Sequence, residues 1–92
     1  MIADADTELN LRGCTVAEAR SLLRNFLAEA VRSGRRRVKV VHGKGIRSPG
    51  GVSVVRTAVQ RDLETALQQG TIRDFRLGNP GEGSAGVTII WL

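Results

Sequence analysis

Aromatic residues, cysteine and histidine are scarce in this sequence. Its 92 residues include no tyrosine, two phenylalanines, one tryptophan, one histidine and a single cysteine, Cys14. One cysteine excludes an internal disulfide bond and a cysteine-rich zinc site, and we expect its thiol to be a buried structural group. With so few aromatic rings to stack on bases, contact with a nucleic acid should be made mainly to its backbone.

Long hydrophobic runs are also missing. No apolar stretch approaches the roughly 20 residues that span a bilayer, and the first residues have neither a basic segment nor an apolar core of signal-peptide length. We therefore expect a cytoplasmic protein with no membrane partner. A chain of 92 residues is long enough for only one core, so we expect a single domain over residues 7–92 behind a flexible lead-in of residues 1–6.

Acidic residues are outnumbered by basic ones. Nine Asp and Glu stand against fourteen basic residues, twelve of them arginine, and the net charge is +5. Arginine binds phosphate with a planar fork, so polyanions are favoured partners, although an arginine bias can equally reflect genome composition. The carboxylates are scattered and do not form the cluster that a two-metal nuclease needs. The sequence thus requires no metal site or cofactor, and Mg²⁺ and Mn²⁺ are the ions to test.

The hydropathy pattern predicts six elements in the order βαβαββ. Residues 7–12 alternate as in a strand, and Thr15 and Glu18 form a capping box before a helical apolar stripe that ends at Gly34. A second strand is predicted over residues 37–42 and a second helix before Gly70. Two more strands, over residues 72–77 and 87–92, flank a glycine-rich loop at residues 78–86.

This order predicts an α/β two-layer sandwich, a four-stranded mixed sheet with two helices on one face. Strand–helix–strand connections join parallel strands, so the first three strands should run in the same direction and the fourth antiparallel to them. Ligands of such sheets bind beyond the carboxyl ends of the parallel strands. Arg12 and Gly13 follow the first strand there, and His42 to Gly45 follow the second. The Arg35-Arg36-Arg37 run falls at the opposite end and is expected to be a solvated turn.

The segment His42-Gly43-Lys44-Gly45 is the strongest candidate for chemistry. An imidazole that titrates near neutrality can move a proton while a neighbouring ammonium holds a phosphodiester. The segment lacks the long glycine loop and the Ser or Thr of an NTP-binding P-loop, so a glycine turn with a surface lysine is the alternative interpretation. Arg12 and Lys44 would stabilise transition-state charge, Asn10 would position the substrate, and Arg47 is placed to touch it.

Three segments together resemble the Smr domain over nearly the whole chain: residues 9–13, residues 42–45 and residues 86–90. The resemblance is greatest to the C-terminal Smr domain of bacterial MutS2 proteins, because Phe75-Arg76-Leu77-Gly78 and Gly81-Glu82-Gly83 look like the ending of that branch. It implies a fold similar to the C-terminal domain of a bacterial translation initiation factor, and nuclease activity on DNA or RNA. It also implies that the MutS-like ATPase portion is a partner, with links to recombination and to ribosome rescue.

The resemblance completes the expected site. Arg12, His42, Lys44 and Asn10 are expected to be catalytic, and a further set is expected to bind substrate: Gly13, Gly43, Gly45, Arg47, Arg76 and Glu82. The family usually has Asp where this sequence has Asn10, which cannot act as a base and is only a weak metal ligand. A mechanism that needs that carboxylate would be impaired, whereas one centred on Arg12, His42 and Lys44 would survive.

The leading hypothesis is an endonuclease domain that nicks DNA with little sequence specificity, RNA being a second possible substrate. The alternative is a non-catalytic module that binds nucleic acid, including rRNA or mRNA on a ribosome. A third interpretation, an oligomerisation module, would need the apolar last strand to lie at a sheet edge, where it could pair with a neighbour. We expect the isolated domain to be a monomer.

Overall fold

The computed structural model describes residues 7–43, 54–78 and 86–92. The elements within these residues follow the predicted order: β1 (Glu8–Asn10), α1 (Val16–Arg32), β2 (Arg37–Val41), α2 (Val54–Gln68), β3 (Asp74–Leu77) and β4 (Val87–Trp91). The predicted lead-in of residues 1–6 lies outside the described residues. So do four of the predicted site residues: Lys44, Gly45, Arg47 and Glu82.

Helix α1 begins and ends at its predicted signals. The hydroxyl of Thr15 accepts a hydrogen bond from the backbone N–H of Glu18, and the Glu18 carboxylate accepts one from the N–H of Thr15, at 3.1 and 2.8 Å. These two bonds satisfy N–H groups that the first turn would otherwise leave unpaired. Past the last turn, Gly34 adopts a φ of +77° and its N–H bonds the carbonyl of Val31. Glycine takes this left-handed conformation without strain, so the helix stops there.

The sheet has the strand order β1-β2-β4-β3. β1 pairs parallel to β2, while β4 pairs antiparallel to both β2 and β3. The first three strands therefore run in one direction and the fourth in the other, which confirms the predicted mixed sheet. β4 lies between β2 and β3, so its backbone is paired on both sides and it cannot add a strand from a neighbouring molecule. Oligomerisation by pairing of β4 with a neighbouring molecule, which requires β4 at a sheet edge, is therefore excluded.

Both helices cover the same face of the sheet. Leu23 of α1 and Leu63 of α2 pack in one cluster with Val38, Val40 and Ile90, and all are at most 2% exposed. Burying each such side chain contributes about 1.5–3 kcal/mol, so this cluster is the main source of the fold's stability. On the opposite face the described residues form a smaller cluster, namely Val41, Val87 and Ile89 with the partly buried Trp91.

All four strands are shorter than their hydropathy pattern predicted, β4 by the single residue Leu92. β1 ends at Asn10 because the Asn10 side chain bonds the backbone two residues on and turns the chain. β2 ends at Val41 because the N–H groups of His42 and Gly43 both bond the carbonyl of Gly86. Ile72 is buried in the core but precedes β3, so its apolar character reflects packing and not strand pairing. Within the described residues, neither helix is long and apolar enough to cross a bilayer.

Candidate functional site

The turn after β1 presents Arg12. The Oδ1 atom of Asn10 accepts a hydrogen bond from the backbone N–H of Arg12 at 2.9 Å, the pattern of an Asx turn. Leu11 anchors the turn, because its side chain is fully buried and its N–H bonds the carbonyl of Val41 at 2.7 Å. Gly13 follows with a φ of +82°. The side chain of Arg12 is exposed at the carboxyl end of the strand, as expected.

The end of β2 lies directly beside this turn. Gly43 has a φ of +84°, and its N–H and that of His42 both donate to the carbonyl of Gly86 at 3.0 Å. A Cβ placed on Gly43 would lie 3.9 Å from the Cγ of Arg12, so the two residues are close neighbours. Arg12, Gly13, His42 and Gly43 thus meet at one end of the sheet, next to the start of β4. The expected convergence of these segments is present among the described residues.

His42 is buried in this arrangement and is only 4% exposed. Its Nδ1 lies 2.9 Å from the carbonyl oxygen of Gly43, and its Nε2 lies 2.8 Å from Oγ1 of Thr88. A carbonyl oxygen only accepts, so Nδ1 carries the proton and Nε2 accepts from the Thr88 hydroxyl. Both ring nitrogens are therefore used inside the chain. In this conformation the geometry does not support proton transfer between His42 and a substrate.

The environment keeps His42 neutral. Burial lowers its pKa below the ordinary value of 6.5, the hydrogen bond with Gly43 opposes that shift, and the positive charge of Arg56 adds to it. Desolvation and a nearby like charge both disfavour the imidazolium form. The neutral ring is the form that can accept from Thr88, so the electrostatics and the hydrogen bonds favour the same state.

Arg56 and Thr88 are the residues at this site that sequence reasoning missed. Arg56 lies in the first turn of α2, where a cation is disfavoured by the helix dipole, so an arginine at this position is a signal that could have been used. Thr88 is fully buried on β4 between apolar neighbours. A hydroxyl at an inward-facing strand position requires a hydrogen-bond partner, which was a second usable signal.

The structure places Arg76 at the opposite edge of the sheet from Arg12. Arg76 lies on β3, whereas Asn10 and Arg12 belong to β1 and its turn, at the opposite edge. Its guanidinium carbon is 5.4 Å from the centroid of the Trp91 ring, and its Nη1 donates to the carbonyl of Leu77 at 3.0 Å. Arg76 thus lies on the face of the sheet opposite α1 and α2, which we call the helix-free face because neither of the two described helices covers it.

Two further expectations concern thiol and metal chemistry. Cys14 is partly buried and packs against the main core, in keeping with the structural role expected for its thiol. Within residues 7–43, 54–78 and 86–92, no three His, Cys, Asp or Glu side chains are grouped so that they could share a metal ion.

Comparison with known proteins identifies relatives over almost the whole chain. The family model of the Smr domain matches residues 9–92. Endonuclease MutS2 of Lachnospira eligens is 42% identical over 90 residues, which cover 96% of this chain and 10% of that protein. Endonuclease MutS2 of Geobacillus kaustophilus is 37% identical over 90 residues, covering 98% of this chain and 10% of that protein. The chain thus spans about a tenth of the length of these curated relatives.

Two solved structures share the architecture. The crystal structure of the Smr domain of Thermus thermophilus MutS2 matches with a TM-score of 0.80 and 34% identity, covering 94% of this chain and 96% of that one. YdaL, a stand-alone small MutS-related protein from Escherichia coli, matches with a TM-score of 0.76 and 27% identity, covering 99% of this chain and 66% of that one.

Proposed function

The chain belongs to the Smr domain family, and on that premise we propose that it is an endonuclease domain that nicks DNA with little sequence specificity. RNA is the second candidate substrate. Because its relatives named Endonuclease MutS2 are about ten times as long, we propose that the domain acts within a MutS2-like protein, beside a MutS-like ATPase portion. That portion would bring the domain to DNA or to a ribosome.

The position of Arg12 is the observation that carries this proposal. Its exposed side chain lies on a turn that the Asn10 amide closes, and it neighbours the bare backbone of Gly43. A guanidinium presented on this turn can bind two phosphate oxygens at once and stabilise the negative charge that builds up during cleavage. Gly13 and Gly43 have no side chain that would keep a phosphodiester away from Arg12.

We assign the residues different roles in this reaction. Arg12 holds the scissile phosphate and stabilises the developing charge, and Lys44, which lies outside the described residues, would supply a second cation. Gly45, Arg47 and Glu82, outside them as well, keep their proposed role in binding substrate. The hydrogen bonds of His42 favour a positioning role, since the Nδ1 bond to the Gly43 carbonyl holds the backbone beside Arg12.

The test is a nicking assay on supercoiled plasmid and on a structured RNA, each with Mg²⁺, Mn²⁺ or a chelator. Replacing one group that stabilises transition-state charge typically lowers the rate about 100- to 1,000-fold, so we expect a loss of that size for Arg12→Ala. Arg12→Lys should retain part of the rate, because an ammonium keeps the charge but loses the fork.

The matched control is Arg24→Ala, which removes one exposed arginine from α1 and should leave the nicking rate unchanged. Purifying all variants in the same way controls for contaminating nucleases. Nicking that persists at the wild-type rate in Arg12→Ala would overturn the assignment of this site.

A non-catalytic module that binds nucleic acid is the second candidate, and one observation favours it. The Asn10 amide oxygen and both nitrogens of His42 are already engaged within the chain. Binding of plasmid and RNA without cleavage under every metal condition would establish this alternative. For either function the affinity should fall steeply with salt, because phosphate contacts release counterions.

A further inference from the structure

A second basic surface surrounds the single tryptophan, at the other end of the sheet. Trp91 is the last residue of β4, and its ladder partners are Arg37 on β2 and Asp74 on β3. Residues paired directly across a sheet project to the same side, so these three side chains share the helix-free face. The guanidinium of Arg76 lies over the indole at 5.4 Å, within range of a cation–π interaction.

Two more arginines lie next to Trp91 along the hydrogen-bonded backbone. The N–H of Arg73 donates to the carbonyl of Trp91 at 2.7 Å, and the N–H of Leu92 donates to the carbonyl of Arg36 at 2.9 Å. Arg36 and Arg73 are both exposed. We define the Trp91 patch as Trp91 with Arg37 and Arg76, which share its face; Arg36 and Arg73 lie next to it along the backbone.

The Trp91 patch carries an excess of positive charge. The nearest carboxylate by ladder position is that of Asp74, which accepts a hydrogen bond from the N–H of Phe75 at 2.8 Å. Glu8, further along the same face, is paired with Lys39 at 3.5 Å. On this face Arg37 and Arg76 stand against the one carboxylate of Asp74, and Arg36 and Arg73 add positive charge next to them along the chain. This balance favours a polyanion over a neutral or basic partner.

The patch is separate from the Arg12 site. Arg37 is the first residue of β2, whereas Val41, next to the Arg12 turn, is its last. Four steps of about 3.3 Å place the two ends about 13 Å apart along the strand. A flexible strand of nucleic acid can extend over this distance along the helix-free face.

We propose that the Trp91 patch binds single-stranded nucleic acid, with one base stacked on Trp91 and the adjacent phosphates on the arginines. In this complex the base replaces the Arg76 guanidinium over the indole, and the guanidinium moves to a phosphate. A partly exposed aromatic ring with arginines on the same sheet face suits an unpaired base, whereas the bases of a duplex are stacked and out of reach. This inference rests on the proposed function, because it describes a second position at which the nucleic acid cut at the Arg12 site is held.

The test uses the emission of Trp91, the only tryptophan. The 92-residue chain carrying Arg12→Ala, which leaves the oligonucleotide uncut, is titrated with a fluorescein-labelled single strand of DNA or RNA, a blunt duplex of equal length, and polyglutamate. We expect quenching of Trp91 by the single strands, less by the duplex and none by polyglutamate. Quenching by polyglutamate equal to that by the single strands would show a site for acidic polypeptides and would overturn the proposal.

Variants locate the interaction. By fluorescein anisotropy, Trp91→Leu should weaken single-strand binding about tenfold, while Trp91→Phe keeps a stacking ring and most of the affinity. Arg37→Gln and Arg76→Gln should each weaken single-strand binding more than Arg24→Gln, a control that removes the same charge from α1. Circular dichroism checks the fold of each protein, and the two arginine variants test the patch even where a tryptophan variant is unstable.

The failure of this proposal can be told apart from the failure of the proposed function. If the single strand binds without changing the emission of Trp91, and Arg37→Gln and Arg76→Gln weaken binding no more than Arg24→Gln, the Trp91 patch is not a binding site. Wild-type nicking of plasmid by Arg37→Gln and Arg76→Gln proteins that keep Arg12 would show that the function at Arg12 stands without the patch.

Discussion

The imidazole of His42 and the hydroxyl of Thr88 are joined inside the protein, with Nε2 and Oγ1 2.8 Å apart. These residues are 4% and 0% exposed; His42 directly follows β2, and Thr88 lies on the neighbouring strand β4. Their hydrogen bond leaves Nδ1–H for the carbonyl of Gly43, 2.9 Å away. One buried contact between β2 and β4 therefore fixes the backbone that neighbours Arg12.

The pKa of His42 gives the first prediction. Burial and the charge of Arg56 lower the folded-state pKa below 6.5. Between about pH 6.5 and this lower value, the unfolded chain binds a proton that the folded chain does not. The free energy of unfolding should therefore be fully retained above about pH 6.5 and fall as the pH drops through this window.

NMR titration of the only histidine measures this directly, and urea unfolding at pH 7.5 and 5.5 measures its effect on stability. In His42→Gln, the difference between the two pH values should shrink. A titration midpoint at or above 6.5 for His42 in the folded protein would contradict the prediction.

The hydroxyl of Thr88 gives a second prediction. Thr88→Val keeps the shape of the side chain but leaves Nε2 of His42 buried without its hydrogen-bond donor. Such a loss costs about 1–3 kcal/mol in the free energy of unfolding, measured by urea denaturation. The matched control is Thr65→Val on the exposed side of α2, which should change stability by no more than about 0.5 kcal/mol. Equal effects of the two substitutions would show that the bond to His42 contributes nothing.

Alanine substitutions at two glycines with positive φ should lower stability equally but differ in their effect on nicking activity. Gly43 and Gly34 have φ values of +84° and +77°, so Gly→Ala should cost about 1–2 kcal/mol at either position. A Cβ at Gly43 would contact Arg12, whereas one at Gly34 would have no atom within 4 Å. A shift of the Gly43 backbone displaces its neighbour, so Gly43→Ala should lower nicking by up to about 100-fold and Gly34→Ala should not. Equal nicking rates for Gly43→Ala and Gly34→Ala would show that Gly43 is not part of the catalytic site.

The capping box of α1 gives a prediction about stability alone. Thr15→Ala removes the acceptor for the N–H of Glu18 and should lower the free energy of unfolding by about 1 kcal/mol. Thr15→Ser keeps the oxygen and should retain most of the stability. Thermal unfolding followed by circular dichroism measures both, and a Thr15→Ala protein as stable as the wild type would contradict the role of the cap.

Much of the fold was predictable from local pattern. The α1 cap at Thr15, its end at Gly34 and the alternation in β1 depend on neighbours in sequence, and each was confirmed within about two residues. The strand directions followed from the βαβ connections. The interior position of β4 was not predictable in this way, because strand order is set by packing between elements that are far apart in the chain.

The site was predictable in its location and less so in its chemistry. Arg12 and Gly43 meet because both follow parallel neighbouring strands, a consequence of topology alone. The state of His42 depends on Thr88, 46 residues away, and on the charge of Arg56. Neither contact leaves a local signal around residue 42, so the imidazole was expected to face the substrate when it is in fact buried.

The place of β4 in the sheet has a consequence for how the protein folds during synthesis. β4 is the last of the six elements to be made, yet it supplies the ladder partners of β3 and one full side of β2. Until β4 emerges from the ribosome, β3 has no strand to pair with, and His42 lacks its hydrogen-bond partner Thr88. The sheet can thus be completed only after β4 has been made, and the bond between His42 and Thr88, which holds the backbone beside Arg12, forms only then.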